Sequence, residues 1–451
     1  MSGLHVVIGL GVSGLSCVRY LRQQNVLVMV MDTRQQPPHL AALKHAFPEV
    51  DYIVGRLDAA SLQKATTIIV SPGVSLAEPL INEQVKQGKR VIGDIELFAQ
   101  YADKPVIAIT GTNAKSTVTT LVGEMMKAGG FTPGVGGNLG VPALDLLTTP
   151  EKAEVFVLEL SSFQLETTDS LRPAVATILN ISPDHMDRYS DYAAYQAAKH
   201  RIYHHAKTAV CNRDDDLTEC KTVERKFYFT LALPKKNEFG LIEKNKTSYL
   251  AFENQLLMPV DDLPVQGKHY QANALASLAI GYSFGLSFES MLSVLREFKG
   301  LPHRCQFVRE AKGVKWVNDS KGTNVGATVA AINGLGASIK GKLILLAGGV
   351  GKSADFAPLA PVIDKYVRHL ILFGEAKNDI AAAMTNNANL SLVDSLEEAI
   401  ALAAKMAKTH DCVLLSPACA SFDMFKNYEH RGQVFMELVN QYLAQDVAMS
   451  R

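Results

Sequence analysis

Short apolar runs that end in Gly, Ser, Asn or Asp alternate along this chain with segments whose apolar positions recur at helical spacing. The runs read as buried strands and the periodic segments as helices packed on them. The first run, from His5, enters Gly9-Leu-Gly-Val-Ser-Gly14, and a helix is predicted through Leu21. A second strand from Val26 to Met31 ends at Asp32, and Thr67 to Val70 leads into the turn Ser71-Pro-Gly-Val74. The pattern then repeats with strands at 106–110, 155–160 and 174–179 and helices at 117–128 and 192–205. Residues 223–260 differ: the short runs 226–230 and 248–252, split by polar turns, predict antiparallel edge strands. Helices are expected at 270–282 and 288–298, after which Gly300-Leu-Pro-His-Arg304 breaks the pattern as a linker. Beyond it come strands at 314–318, 343–346, 369–373 and 412–415, with helices at 326–333 and 396–407. Such alternation predicts an α/β chain of three domains, at 1–94, 95–299 and 300–451. The outer two read as Rossmann-like, and the central one as a mostly parallel sheet with helices on both faces.

Composition narrows the picture without naming a chemistry. The 451 residues exceed one ordinary core, and 47% hydrophobic against 20% charged residues suits several soluble domains. Lys+Arg and Asp+Glu both number 45, so bulk charge gives no reason to expect a nucleic-acid partner or an anionic membrane. The six cysteines form no C-x-x-C pair, and no uninterrupted apolar stretch reaches membrane-spanning length. A reduced, cytoplasmic protein without membrane insertion is the expectation.

Chemistry enters at Pro105-Val-Ile-Ala-Ile-Thr-Gly-Thr-Asn-Ala-Lys-Ser-Thr117. A strand, a tight Gly111 turn and a helix start present backbone N–H groups to phosphate oxygens. Lys115 adds positive charge for the terminal phosphates of ATP, and Ser116 or Thr117 a hydroxyl for Mg²⁺. The N-terminal G-x-G-x-x-G with Asp32 is a second nucleotide fingerprint, the acid placed for a ribose or base. Glu159 ends one central strand, and Asp184 and His185 follow the next. Carboxylates and an imidazole at the carboxyl edge beside a phosphate loop favour Mg²⁺ ligation. On pattern alone Lys199 reads as a surface lysine with its stem on apolar neighbours. Lys352, in a Gly-rich turn after a strand, suits an anion site of either phosphate or carboxylate type. Taken by itself, the N-terminal fingerprint would suit a dehydrogenase, and the phosphate loop a nucleotide-gated scaffold.

The ordered set GTNAKST, LELSSFQLE, NISPDHMDRY, GLPHR, NDSKGTN, GGVGKSADF and LLSPACASFDMFKNYEHRG resembles the ATP-dependent Mur ligases of peptidoglycan synthesis, from the first strand to about Val439. The resemblance implies a cytoplasmic, monomeric amide ligase whose substrates are UDP-N-acetylmuramoyl-L-alanine, D-glutamate and ATP. It implies an acyl-phosphate intermediate. By the same resemblance Val12, Ser13, Asp32, Thr33, Arg34, Gly73, Asn138 and Ser161 contact the UDP sugar. Gly111, Thr112, Asn113, Ala114, Lys115, Ser116 and Thr117 hold ATP, joined by His269, Asn273, Arg304 and Asp319. It also implies that Ser116, Glu159, His185 and Lys199 form the metal set, with two Mg²⁺ sites and Lys199 carbamylated into an anionic oxygen ligand. Lys115, His185 and Lys199 carry catalysis, while Thr323, Lys352, Ser421 and Tyr428 hold the incoming amino acid. Four positions depart from the family pattern. Ala114 replaces a Gly, so ATP is expected to bind slightly less well; Tyr270 replaces an Asn, Tyr428 a Phe and Val350 an Asp.

Overall fold

The computed structural model describes residues 3–149, 151–265, 267–384 and 389–449, with side chains to Ala444. Twenty strands form three sheets among these residues. The first holds β1 (Leu4–Ile8), β2 (Leu27–Asp32), β3 (Asp51–Val54), β4 (Thr67–Val70) and β5 (Arg90–Ile92), in the order β3-β2-β1-β4-β5. All its pairs are parallel. The chain therefore changes winding direction between β1 and β4, where ligands of open α/β sheets collect at the strands' carboxyl ends. Val6, Ile8, Met31, Ile68 and Val70 are buried in one of its cores, which explains the near-continuous apolar runs of strands covered on both faces.

The second sheet holds β6 (Val106–Thr110), β7 (Pro133–Gly137), β8 (Val155–Glu159), β9 (Val175–Ile178), β10 (Ala209–Asn212), β11 (Lys226–Phe229), β12 (Glu238–Lys244), β13 (Thr247–Phe252) and β14 (Gln255–Pro259). Their order is β14-β13-β12-β11-β10-β9-β6-β8-β7. The run at 226–230 is not antiparallel, because β11 pairs parallel with both β10 and β12. Antiparallel pairing starts only at β12 with β13, across Asn245 and Lys246, both at positive φ as a twisted two-residue hairpin requires. A run this short carries alternation but no direction, so the sequence signal stopped there.

The third sheet holds β15 (Gln306–Ala311), β16 (Val314–Asn318), β17 (Leu343–Gly348), β18 (Val367–Phe373), β19 (Leu390–Leu392) and β20 (Cys412–Leu415), ordered β15-β16-β20-β17-β18-β19. Only β15 runs antiparallel, so the loops after β16, β20 and β17 leave from neighbouring carboxyl ends. The helix Tyr428–Met449, not evident from the pattern, packs Phe435, Val439 and Leu443 against this sheet; their four-residue spacing puts them on one face. The chain divides into two compact units: Met1–Ile181 with Ala193–Asp262 and Ala272–Glu297, and Ser182–Tyr192 with Leu263–Gln271 and Phe298–Arg451. The first two sheets lie in the first unit and the third in the second. All six cysteines are free thiols, and no helix among the described residues is long and apolar enough to cross a membrane.

Candidate active sites

The turn after β1 depends on Gly14, where a Cβ would stand 1.9 Å from the Gly9 carbonyl oxygen. At the end of β2, Asp32 accepts from the Leu10 N–H at 2.7 Å and from Arg34 Nη2 at 2.6 Å and Nε at 2.9 Å. Burial works against its ionisation, yet Arg34 and these N–H groups hold its carboxyl below the usual range. A cleft of about 900 Å³ opens here, lined by Val12, Ser13, Asp32, Thr33, Arg34, Gly73 and Asn138. Ser161 does not line it, because its side chain caps the helix Ser162–Glu166 in a reciprocal pair with Gln164. Gln164, unforeseen from sequence, does line it.

The loop after β6 is held from β9: Thr112 N–H donates to the Asn180 carbonyl at 2.9 Å and Asn113 N–H to Asn180 Oδ1 at 2.8 Å. Ala114 sits at φ +68°, so the replaced Gly position does require the left-handed conformation that a methyl group disfavours. Helix Lys115–Ala128 starts there without a side-chain cap, and the positive end of its dipole lies at the loop, which suits an anion. Lys115 Nζ donates to the carbonyls of Gly111 and Thr112, both at 2.9 Å. Lys199 is 2% exposed rather than a surface lysine: its Nζ lies 2.8 Å from the Gly111 carbonyl and over the Tyr195 ring. The Tyr195 hydroxyl in turn meets Thr112 Oγ1 at 2.9 Å. Glu159 ends β8 one strand away; its Oε1 accepts from Asn138 Nδ2 at 2.6 Å, and its buried Oε2 has no partner among the described residues. An uncompensated buried carboxylate oxygen beside a phosphate-type loop fits a divalent cation. No group of three or more His, Cys, Asp or Glu among the described residues could hold a metal alone, so hydroxyl and phosphate oxygens would complete the set.

In the second unit, a cleft of about 350 Å³ is lined by Asp184, His185, Thr323, Asn324 and Lys352 among others. Lys352 Nζ binds Asp184 Oδ1 at 2.8 Å, and Asn324 Nδ2 reaches Oδ2 at 3.1 Å. Of the residues expected to ligate the metal, Ser116, Glu159 and Lys199 belong to the first unit and His185 to the second. Ser421 and Tyr428 do not line this cleft. Tyr428 instead carries Lys321 over its ring at 3.7 Å. Ser421 is 2% exposed at the end of a loop gripped by Arg431, whose guanidinium is fully buried. Arg431 donates to the Ser320 and Cys419 carbonyls at 2.9 and 3.2 Å, and burial pushes it down to about 10.

Asp319 ends the same sheet region, where burial pushes its carboxyl up to about 6 against the opposing Ser416 hydroxyl at 2.7 Å. His269 has its buried Nδ1 unpartnered among the described residues, and burial lowers its pKa. Tyr270 is 3% exposed and donates to the Phe298 carbonyl at 3.0 Å, so the Asn-to-Tyr departure is a packing and hydrogen-bonding feature. Val350 pairs through its backbone alone, with both N–H and carbonyl on Ala420, which leaves its side chain unconstrained by that bridge.

Three family descriptions match the chain: Mur ligase MurD-like, N-terminal domain, over residues 3–93; Mur ligase middle domain over 109–281; and Mur ligase, glutamate ligase domain, over 303–419. The chain is 53% identical over 436 residues to the UDP-N-acetylmuramoylalanine--D-glutamate ligase of Pseudomonas savastanoi pv. phaseolicola, covering 96% of this chain and 97% of that one. It is 47% identical to the ligase of the same name from Legionella pneumophila, over 97% of this chain and 98% of that one. Among solved structures, the UDP-N-acetylmuramate-alanine ligase MurC of Thermotoga maritima matches with a TM-score of 0.62 at 17% identity, covering 98% of this chain and 100% of that one. MurF of Acinetobacter baumannii matches at 0.62 and 18% identity, covering 97% and 90%. These two likenesses speak to the fold.

Proposed function

The chain belongs to the Mur ligase family, and from that premise we propose that it is the ATP-dependent ligase that joins D-glutamate to UDP-N-acetylmuramoyl-L-alanine in peptidoglycan precursor synthesis. The observation that carries this reading is the loop after β6, where the start of helix Lys115–Ala128 and the Lys115 ammonium lie one strand from Glu159, whose buried Oε2 has no partner among the described residues. In this reading the first domain, near residues 1–94, takes the UDP sugar through Ser13, Asp32 and Arg34, joined by Asn138 of the central domain. The central domain, to about 299, takes ATP, and the remainder the amino acid, with Thr323 and Lys352 at its carboxylates and Ser421 and Tyr428, outside their cleft, as the further contacts that the resemblance implies.

The acceptor's alanyl carboxylate attacks the γ-phosphorus of ATP and ADP leaves, giving an acyl phosphate. The D-glutamate amine, as the free base, then attacks the carbonyl carbon, and the tetrahedral adduct releases a proton from its nitrogen to solvent and expels phosphate as the amide forms. Phosphorylation is needed because a free carboxylate has no leaving group. Lys115 lets go of the Gly111 and Thr112 carbonyls to meet the phosphates, and the helix N-terminus offsets charge on the transferring group. Ser116 would hold one Mg²⁺, with Glu159, His185 and a carbamylated Lys199 for a second ion; the metal would supply charge neutralisation on the phosphoryl oxygens. Lys199 fits this role through its burial and its place at Gly111. His269, Asn273, Arg304 and Asp319 complete the nucleotide contacts in this proposal, which also includes a monomeric, cytoplasmic enzyme.

Phosphate release from ATP with UDP-N-acetylmuramoyl-L-alanine tests the reading, comparing D-glutamate, L-glutamate, L-alanine and no amino acid. Release that depends on D-glutamate, with a matching amide product, is expected. Release with another amino acid moves the specificity within the family, and no release under any pairing refutes the ligase reading.

A further inference from the structure

Two side-chain amides on the wall of the first-unit cleft are each tied to a buried carboxylate: Asn138 to Glu159 and Gln164 to Asp94. Glu159 has a place in the proposed metal set; Asp94 has no such role. It opens the helix Asp94–Ala99, is 4% exposed, and its Oδ2 accepts from Gln164 Nε2 at 2.9 Å. Burial raises the Asp94 pKa, opposed by Gln164, by the N–H groups of Ile95 and Asp94 and by the Ser13 hydroxyl, but none of these meets full hydrogen-bond geometry at Oδ1 among the described residues. An apolar side chain would fill this space without the desolvation cost of a carboxylate, so packing alone does not account for it. The helix start is pressed close, since a Cβ on Gly93 would stand 2.1 Å from Thr167 Oγ1. At its other end Gln164 Oε1 accepts from the Ser161 N–H at 3.1 Å and hydroxyl at 3.2 Å. Donors on Oε1 and a carboxylate on Nε2 leave only one orientation of the amide, with one N–H still unassigned.

We propose that Asp94 is a positioning residue of the sugar-nucleotide cleft, acting through Gln164 by aiming that remaining N–H at the bound acceptor substrate. The proposal rests on the ligase reading for the identity of the ligand. Without the Asp94 oxygen the Gln164 amide rotates about its last torsion and its N–H is no longer directed.

The test is calorimetric titration of the full chain with UDP-N-acetylmuramoyl-L-alanine, together with steady-state constants for all three substrates. Asp94→Ala should weaken acceptor binding roughly tenfold, the scale of one hydrogen bond to a charged group, and leave the KM values for ATP and D-glutamate within about twofold. Asp94→Asn, whose carbonyl oxygen still accepts from Nε2, should restore most of the affinity. Because Asp94 acts through Gln164, the Asp94→Ala/Gln164→Ala double variant should bind no worse than Gln164→Ala alone. Where Asp94→Ala does not fold, Asp94→Ser keeps a polar group that favours a helix start and repeats the measurement. Unchanged acceptor affinity in the truncation, losses that multiply in the double variant, or a parallel rise in the ATP KM would each overturn the proposal. Failure of the wild-type chain to bind this probe would instead overturn the ligase reading.

Discussion

Asp319→Asn should remove a pH-dependent cost that the fold carries near neutrality. The Asp319 carboxyl rises from 3.8 to about 6 in the folded chain, chiefly because burial removes its water. A folded-state pKa above the unfolded value means the native protein holds the proton more tightly between those pH values. Stability from this group is therefore greatest below pH ~4 and falls as pH climbs toward 6, after which the loss is complete. A rise of about two pH units corresponds to about 3 kcal/mol, a figure already net of what the ionised form gains from its partners. Asparagine preserves those partners: its oxygen can accept from the Cys305 N–H, and its amide can donate to Ser416 Oγ, which can turn toward Thr328 Oγ1 at 3.0 Å. The single tryptophan, Trp316, lies buried on β16 beside this position, so its fluorescence reports unfolding of the third-sheet unit. Urea titrations at pH 4.5 and pH 8 should show Asp319→Asn about 1–3 kcal/mol more stable than wild type at pH 8, with the difference shrinking or reversing at pH 4.5. A difference that stays constant across that range would refute the reasoning.

Ala114→Gly relieves a left-handed alanine at the phosphate loop, worth about 1 kcal/mol, and should tighten ATP by up to about fivefold; an unchanged or weaker ATP KM counts against it. Tyr270→Phe should cost about 1 kcal/mol of stability through loss of the Phe298 bond while leaving the ATP KM alone, and a tenfold KM change would instead place the phenol at the nucleotide. Lys352→Met should raise the D-glutamate KM tenfold or more and spare the acceptor KM, because a carboxylate loses its cation; equal effects on both would contradict the assignment. Comparing the glutamate KM of Tyr428→Phe with wild type separates a hydroxyl that bonds the amino acid, which raises KM, from an idle one.

The turns and strand ends that carry the candidate residues were legible because they are local. The phosphate loop, the Gly-rich first turn with Asp32, and the strand end at Glu159 are each set by neighbours within a few positions, where backbone geometry and apolar spacing leave a trace; Asp319 entered only through the family resemblance. Lys199 shows the limit: its own helix reads equally well as a surface segment, and only its contact with Gly111, 88 positions away, makes it buried. Ser161 shows another, since a capping serine and a ligand-binding serine share one local pattern, and Gln164 faced the cleft instead. The direction of β11 was also beyond reach, because strand pairing depends on which neighbour the run meets.

By itself the sequence determined the α/β class, the phosphate loop, the nucleotide turn and the family, all of which rest on short-range periodicity, turn chemistry and ordered motifs. Tertiary structure alone decided which carboxylates are buried and what each one holds. The Asp94–Gln164 and Asp184–Lys352 pairs span 70 and 168 positions, and no local preference favours either member of such a pair until folding removes water from both. Desolvation is a property of the packed environment, so the charge state of Asp319 and the aim of Gln164 come into being only with the fold.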